Sequence, residues 1–246
     1  MQSHVRATVR PRVNDAVKSD ANILPKHEEE NVNLILGRGS ELAEPDLEGD
    51  THGSVLARGR NAMVDTDRLP RIVGVQVSGK HVFSKTPNDA IRLIENFGVE
   101  GDSHAGATDQ HLWHIKRFGQ RPNLRQVHLI QAELFDEVSL KGHTVRPGEL
   151  GENISTRHVD LLGLPTGTRL RLGSEAVIEL TGLRNPCHQI EDFQPGLLKH
   201  LVEKKPTGLV RRAGVMSVVL QGGDVRPGDA IEIELPPLPH EPLDVV

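Results

Sequence analysis

The chain has a single cysteine, Cys187, in 246 residues, together with no tyrosine, one tryptophan and five phenylalanines. One thiol excludes an intramolecular disulfide and the multi-cysteine sets that hold iron–sulfur clusters, and it fits a reducing compartment. No apolar run approaches the ~18–20 residues that span a bilayer. The N-terminus lacks the compact apolar core of a secretory signal. A soluble, cytoplasmic protein without membrane contact is therefore expected. Formal net charge is -5, so the basic excess of a nucleic-acid-binding protein is missing. Neither a Rossmann glycine fingerprint nor a GxxxxGK[ST] phosphate loop is present, and no internal repeat is visible.

Aromatic residues are absent from the first 70 positions, which instead carry dense charge, including Glu28-Glu29-Glu30 and Asp46 to Asp50. Such composition buries too little surface to offset chain entropy, so residues 1–70 are expected to be a disordered extension. The alternative is a short strand at Val32–Leu36 docking on the domain. Arg6, Arg10 and Arg12 resemble a targeting peptide only weakly, because acidic residues soon follow.

From Arg71 the texture changes to β-branched runs and glycine turns. Strands are expected at residues 72–77, 125–130, 168–172, 176–180, 214–220 and 230–235, with 168–180 a hairpin around Gly173-Ser174. A helix is expected after Gln131, stopped by Gly142, and another within residues 193–202, confined to its C-terminal part by Pro195-Gly196. Ile231, Ile233 and Leu235 alternate with Glu232 and Glu234 along the last strand. Many short strands and few helices predict a mainly β architecture, a barrel or sandwich with peripheral helices. It occupies residues 71–239, closed by Pro236 to Pro239 and followed by a tail at 240–246.

Three loops carry chemistry. Gly98-Val-Glu-Gly-Asp102-Ser-His104-Ala-Gly106 places Asp102 and His104 on a backbone that can approach a ligand closely, or is a structural turn. Gly151-Glu152-Asn153 follows Arg146-Pro-Gly148; its Asn can donate to a phosphate and its Glu can hold an arginine, or the stretch is an Asx-type turn. Arg184-Asn185-Pro186-Cys187-His188 sets a thiol among basic groups, which favours the thiolate that ligates metals or attacks electrophiles. Cys187 is the candidate catalytic and metal-binding residue. Two rival constellations are a zinc site from His104, Asp109, His111 and His114, and a basic run of Lys116, Arg117, Arg121 and Arg125 that is a solvated face or a phosphate grip.

In this order, Gly98 to Gly106, Arg125-Gln126-Val-His128-Leu-Ile130, Gly151 to Thr156 and Leu183 to Cys187 resemble the MOSC domain, named for the C-terminal region of molybdenum cofactor sulfurases. Gly214 to Leu220 and Gly222 to Asp229 extend the likeness. The resemblance implies a β-barrel-like fold with a few peripheral helices and a thiolate at Cys187 that ligates molybdenum of a pterin cofactor or carries a persulfide. By the same resemblance Arg184, Asn185, Asn153, Glu152, Gly151, Arg125, Gln126 and His128 line the pocket, with Asp102 and His104 nearby and without assigned roles. The implied activity is reduction of N-hydroxylated small molecules with electrons from a separate reductase; the alternatives are a sulfur or cofactor carrier serving another enzyme, and a cofactor-free anion-binding scaffold. The pyridoxal-phosphate-dependent transferase of the sulfurases has no room here, so that cofactor is not expected, and a standalone protein is. Substrate, oligomeric state and the choice between molybdenum and tungsten stay open. The loop from Ala107 to Leu124 is read as a lid or phosphate clamp, or as a plain surface insertion.

Overall fold

The structure is a computed structural model that describes residues 68–110, 115–117, 119–206 and 208–246. The expectations for residues 1–70 therefore fall almost wholly outside the described residues, as do the Val32–Leu36 strand, His111 and His114 of the rival zinc site.

Among the described residues strand far outweighs helix, as the short β-branched runs require. An eight-stranded sheet is built from β1 (Arg71–Val77), β2 (Thr86–Asn88), β5 (Val127–Gln131), β6 (Ile154–Arg157), β7 (Arg169–Leu172), β8 (Ala176–Leu183), β11 (Val215–Gln221) and β13 (Ile231–Glu234). Its order is β13-β7-β8-β11-β5-β6-β1-β2. The lead-in to β13 meets β1, next to the opposite edge: Arg71 bridges Ala230, and Ile72 N donates to Asp229 O at 2.9 Å, so the sheet curls towards closure. Smaller sheets comprise β3 (Ile91–Ile94) between β4 (Gly98–Val99) and β12 (Gly223–Val225), and the hairpin of β9 (Val202–Lys205) with β10 (Gly208–Arg211). Within the large sheet β5 and β6 run parallel, joined by a crossover through α1 (Glu133–Ser139).

Period-two alternation assigns the two faces. Along β5, Val127 and Leu129 enter a core with Ile72, Leu170, Ile178 and Val215. Ile130 points the other way, into a second core with Leu134 and Val138 of α1, Ile190 of α2 (Gln189–Phe193), and Leu201 of α3 (Leu198–Leu201). His128 shares the Ile130 face, which is the face that carries the site. Among the described residues no helix is long and apolar enough to cross a membrane.

Differences from the sequence expectation have local causes. The helix expected in the C-terminal part of 193–202 is α3, whereas α2 before it was not expected; Pro195-Gly196, with Gly196 at φ 84, separates the two. Ile233 and Leu235 are exposed despite their alternation, because β13 is an edge strand and only Ile231 reaches the core. Residues 241–246, read as a tail, lie along the exit of β8: Thr166 N donates to Glu241 O at 2.9 Å and Leu183 N to Asp244 O at 2.7 Å.

Candidate functional site

A cavity of about 130 Å³ opens on the His128 face, between the loop after β8 and the two glycine-rich loops. Cys187, Arg184 and Asn185 reach it from the loop that Pro186 stiffens after β8. His128 and Met216, directly paired across β5 and β11, present side chains to it together. Gly151, Arg125 and His104 complete the predicted residues that line it. Gly151 sits at φ 83, and a Cβ there would lie 2.5 Å from the Phe83 carbonyl oxygen, so backbone conformation and close approach both demand glycine.

Asp102, Glu152, Asn153 and Gln126 stand behind that wall instead of on it. Gln126 Oε1 accepts from Val219 N at 2.9 Å, which serves β11. Asn153 Oδ1 accepts from His128 N at 3.2 Å, while its Nδ2 donates to Gln76 O at 3.2 Å and to Asp102 Oδ2 at 2.9 Å, stapling β5 and β1 to the Asp102 loop. Asp102 Oδ2 takes the Lys85 ammonium at 2.6 Å, and Oδ1 takes His104 N at 2.9 Å and faces His104 Nδ1 at 3.3 Å. Burial alone would raise the Asp102 carboxyl; the His104 and Lys85 contacts outweigh it and hold the group well below the usual carboxylate range. Asp102 thus orients one cavity imidazole and neutralises one cavity ammonium.

No sequence signal marks Lys85, which immediately precedes β2 and lies outside every glycine-rich loop along the chain. Asn123 was missed too. Its Nδ2 donates to His104 O at 3.0 Å and Gly106 O at 2.9 Å, closing the loop over the cavity. Gln189 was also missed; its Oε1 accepts from Cys187 Sγ at 3.4 Å. An isolated polar residue acquires its role only from partners that the fold supplies.

Electrostatically the cavity is cationic. Arg184 lies 5.9 Å from the Phe83 ring centroid, and its Nη1 is buried with no hydrogen-bond partner. Burial pushes the Arg125 guanidinium down to about 10, with Arg184 adding repulsion. Burial, reinforced by Arg184, also drives His128 well below the ordinary imidazole value, so it is neutral at pH 7. Its Nε2 lies 2.8 Å from the Ala213 carbonyl oxygen, which can only accept, so Nε2 carries the proton. Among the described residues no three His, Cys, Asp or Glu side chains gather to hold an ion; of the rival zinc set, only His104 and Asp109 are described.

Glu152 is fully buried beneath the cavity. Its Oε1 accepts from Gly148 N at 2.5 Å and Ser155 Oγ at 3.0 Å, while Oε2 has no hydrogen-bond partner. Burial raises its carboxyl above the ordinary value despite those bonds. The folded state then keeps a proton that the unfolded chain releases, so stability falls as pH rises from the unfolded value of 4.5 to the higher folded one. Urea denaturation from pH 5 upward should show the wild type losing stability relative to Glu152→Gln as pH rises. Parallel pH profiles would contradict a raised Glu152.

Residues 116–232 match the sequence profile of the MOSC domain. The first glycine-rich loop, with Asp102 and His104, lies outside that match although it folds against it. The YUAD protein from Bacillus subtilis shares the fold with a TM-score of 0.57 and 22% identity, over 69% of this chain and 98% of its own. YiiM from Geobacillus stearothermophilus does so with a TM-score of 0.50 and 17% identity, over 70% of this chain and 79% of its own. Comparison with the curated proteins finds no match.

Proposed function

The chain carries a MOSC domain, and from that premise we propose that its cavity binds a molybdenum–pterin cofactor through Cys187 and reduces N-hydroxylated small molecules. The observation that carries this reading is the pairing of a half-buried thiol with a buried guanidinium whose Nη1 has no partner. A thiolate is a soft ligand suited to a metal–dithiolene centre, and a buried guanidinium nitrogen without a partner among the described residues suits the anionic remainder of such a group. The donor set therefore fits the cofactor. At about 130 Å³ the cavity falls below the ~300–1,000 Å³ that encloses a whole organic ligand, so it takes in a fragment of the cofactor.

Cys187 would ligate the metal, while Arg184 and Arg125 would hold the anionic part. When bound, the molybdenum centre would supply the capacity to accept an oxygen atom and to donate two electrons to the substrate. Reduction of an N-hydroxyl group to the amine consumes two electrons and two protons and releases water. His104, fixed through Nδ1 by Asp102, is the cavity group suited to hand over a proton. Neutral His128 is tied to Ala213 and serves the wall. The electrons come from a separate donor enzyme, since the single cysteine cannot build an iron–sulfur relay.

The test is the molybdenum content of chain purified from a cofactor-producing host. Wild type should hold about one atom per chain, and Cys187→Ser, which exchanges a soft ligand for a hard one, should hold nearly none. Wild type without molybdenum but with cyanide-releasable sulfur on Cys187 would replace this reading by a sulfur carrier. Molybdenum retained by Cys187→Ser would remove the proposed ligand.

A further inference from the structure

One wall of the cavity is held by a segment distant from it in sequence. β7 accompanies β8 as far as Glu179, and Thr168 O still receives Leu180 N at 2.9 Å. Beyond that point the β8 edge is taken up by residues 244–246. Leu183 N donates to Asp244 O at 2.7 Å, Val246 N donates to Leu183 O at 3.4 Å, and Leu183 and Val245 form a parallel bridge. The contact ends one residue before Arg184 and the loop to Cys187.

Gly182 is what admits this segment. A Cβ there would lie 2.4 Å from Asp244 O and 2.6 Å from a Val246 methyl. Its φ is not in the left-handed region, so the strand itself does not require glycine. The segment is anchored further back by Thr166, which donates through N to Glu241 O at 2.9 Å and through Oγ1 to Pro242 O at 3.2 Å, and by Leu243 packing on the main core. Val246 O accepts a hydrogen bond from Arg125 Nη1. Arg125 stands in the wall between the Cys187 cavity and a neighbouring one that Val245 and Val246 line.

We propose that residues 241–246 are a positioning strap that docks on Gly182 and Leu183 and holds the Arg125 guanidinium beside the cavity, thereby setting the positive potential at Cys187. A guanidinium on a flexible stem has several rotamers, and one fixed hydrogen bond to a docked backbone selects among them at little further entropic cost. The strap touches the exit of β8 and Arg125 at once, so it ties the two walls that carry the thiol and the cation. The inference is independent of what the cavity binds. It depends only on the strap, Arg125 and Cys187.

Cys187 is the chain's only thiol, so alkylation reads this one site. Iodoacetate and iodoacetamide are similar in size and differ in charge. The ratio of their second-order rates cancels thiolate fraction and accessibility and reports the local potential. Gly182→Ala should displace the strap and lower the iodoacetate-to-iodoacetamide ratio on the order of three- to ten-fold, the effect of one nearby charge in a partly wet cavity. Arg125→Gln should lower it equally, and the double variant no further. Deleting residues 244–246 removes the same contact without adding a side chain and should match, which covers a folding failure of Gly182→Ala. An unchanged ratio in the folded strap variants beside a lowered ratio in Arg125→Gln, even with reduced thermal stability, would overturn positioning and leave a purely structural strap. An unchanged ratio in Arg125→Gln would overturn the role of Arg125.

Discussion

Replacing Asp102 with asparagine is expected to destabilise the domain by about 3–5 kcal/mol, the cost of breaking a buried ion pair from one side. The Lys85 and Asp102 side chains are only 4% and 1% exposed. The carboxylate accepts from Lys85 Nζ at 2.6 Å, Asn153 Nδ2 at 2.9 Å, His104 N at 2.9 Å and Ser78 N at 3.4 Å. An asparagine amide has one acceptor for these donors and must turn its NH2 towards some of them. In either orientation the Lys85 ammonium stays buried without a counter-charge. The double variant Asp102→Asn/Lys85→Met should recover a substantial part of the loss, because it removes the stranded cation.

The pH dependence has a definite sign. The folded pKa of Asp102 lies below its unfolded value of 3.8, so its contribution is fully present above that value and is lost as pH falls towards the folded one. Asp102's own share of the stability gap between wild type and Asp102→Asn should thus be lost only in strong acid, while the stranded Lys85, already lowered by burial, gives up its proton more readily in the variant and narrows the gap as pH rises from 5 to 8. Urea denaturation across that range measures it. A loss below about 1 kcal/mol at pH 5 would contradict the buried pair.

Arg184→Met is expected to move stability and occupancy in opposite directions. In ligand-free protein the guanidinium bears the cost of burial with Nη1 unsatisfied among the described residues, offset in part by the Phe83 face and the nearby Cys187 and Glu152. Methionine fills similar space without a donor, so the ligand-free domain should gain about 1–2 kcal/mol. An anionic ligand would meanwhile lose a charge-assisted hydrogen bond worth about 1.5–3 kcal/mol, roughly 10- to 150-fold in affinity. Urea denaturation of ligand-free protein reads the first effect. Molybdenum retained per chain after dialysis reads the second. A variant that loses both stability and occupancy would show Arg184 to be a packing residue.

How far the sequence reached depends on the kind of signal. The β-branched runs bounded by glycine turns placed β1, β5, β7, β8, β11 and β13 within a few residues. The two-residue β4 and three-residue β12 carry no period of their own, and they exist because β3 pairs with both. The sequence grouped Arg125, His128, Gly151, Arg184 and Cys187 as candidates, and the fold sets them around one cavity. It also grouped Gln126, Asn153 and Glu152 with them, which are buried behind the wall. Strand alternation separates neighbours such as Glu152 and Gly151, or Gln126 and Arg125, only when register and the path of the adjoining loop are known.

The sequence by itself determined the local chemistry of Cys187: a lone thiol after a proline, beside an arginine, at the exit of a strand. Those properties follow from neighbours in the chain. The tertiary structure alone decided that Lys85 neutralises Asp102, that Asn123 closes the glycine loop, and that residues 241–246 reach Arg125. Each of these joins positions 17 to 121 residues apart, where no local period or turn propensity acts. Their energies depend on burial and direct contact, which only the folded chain supplies.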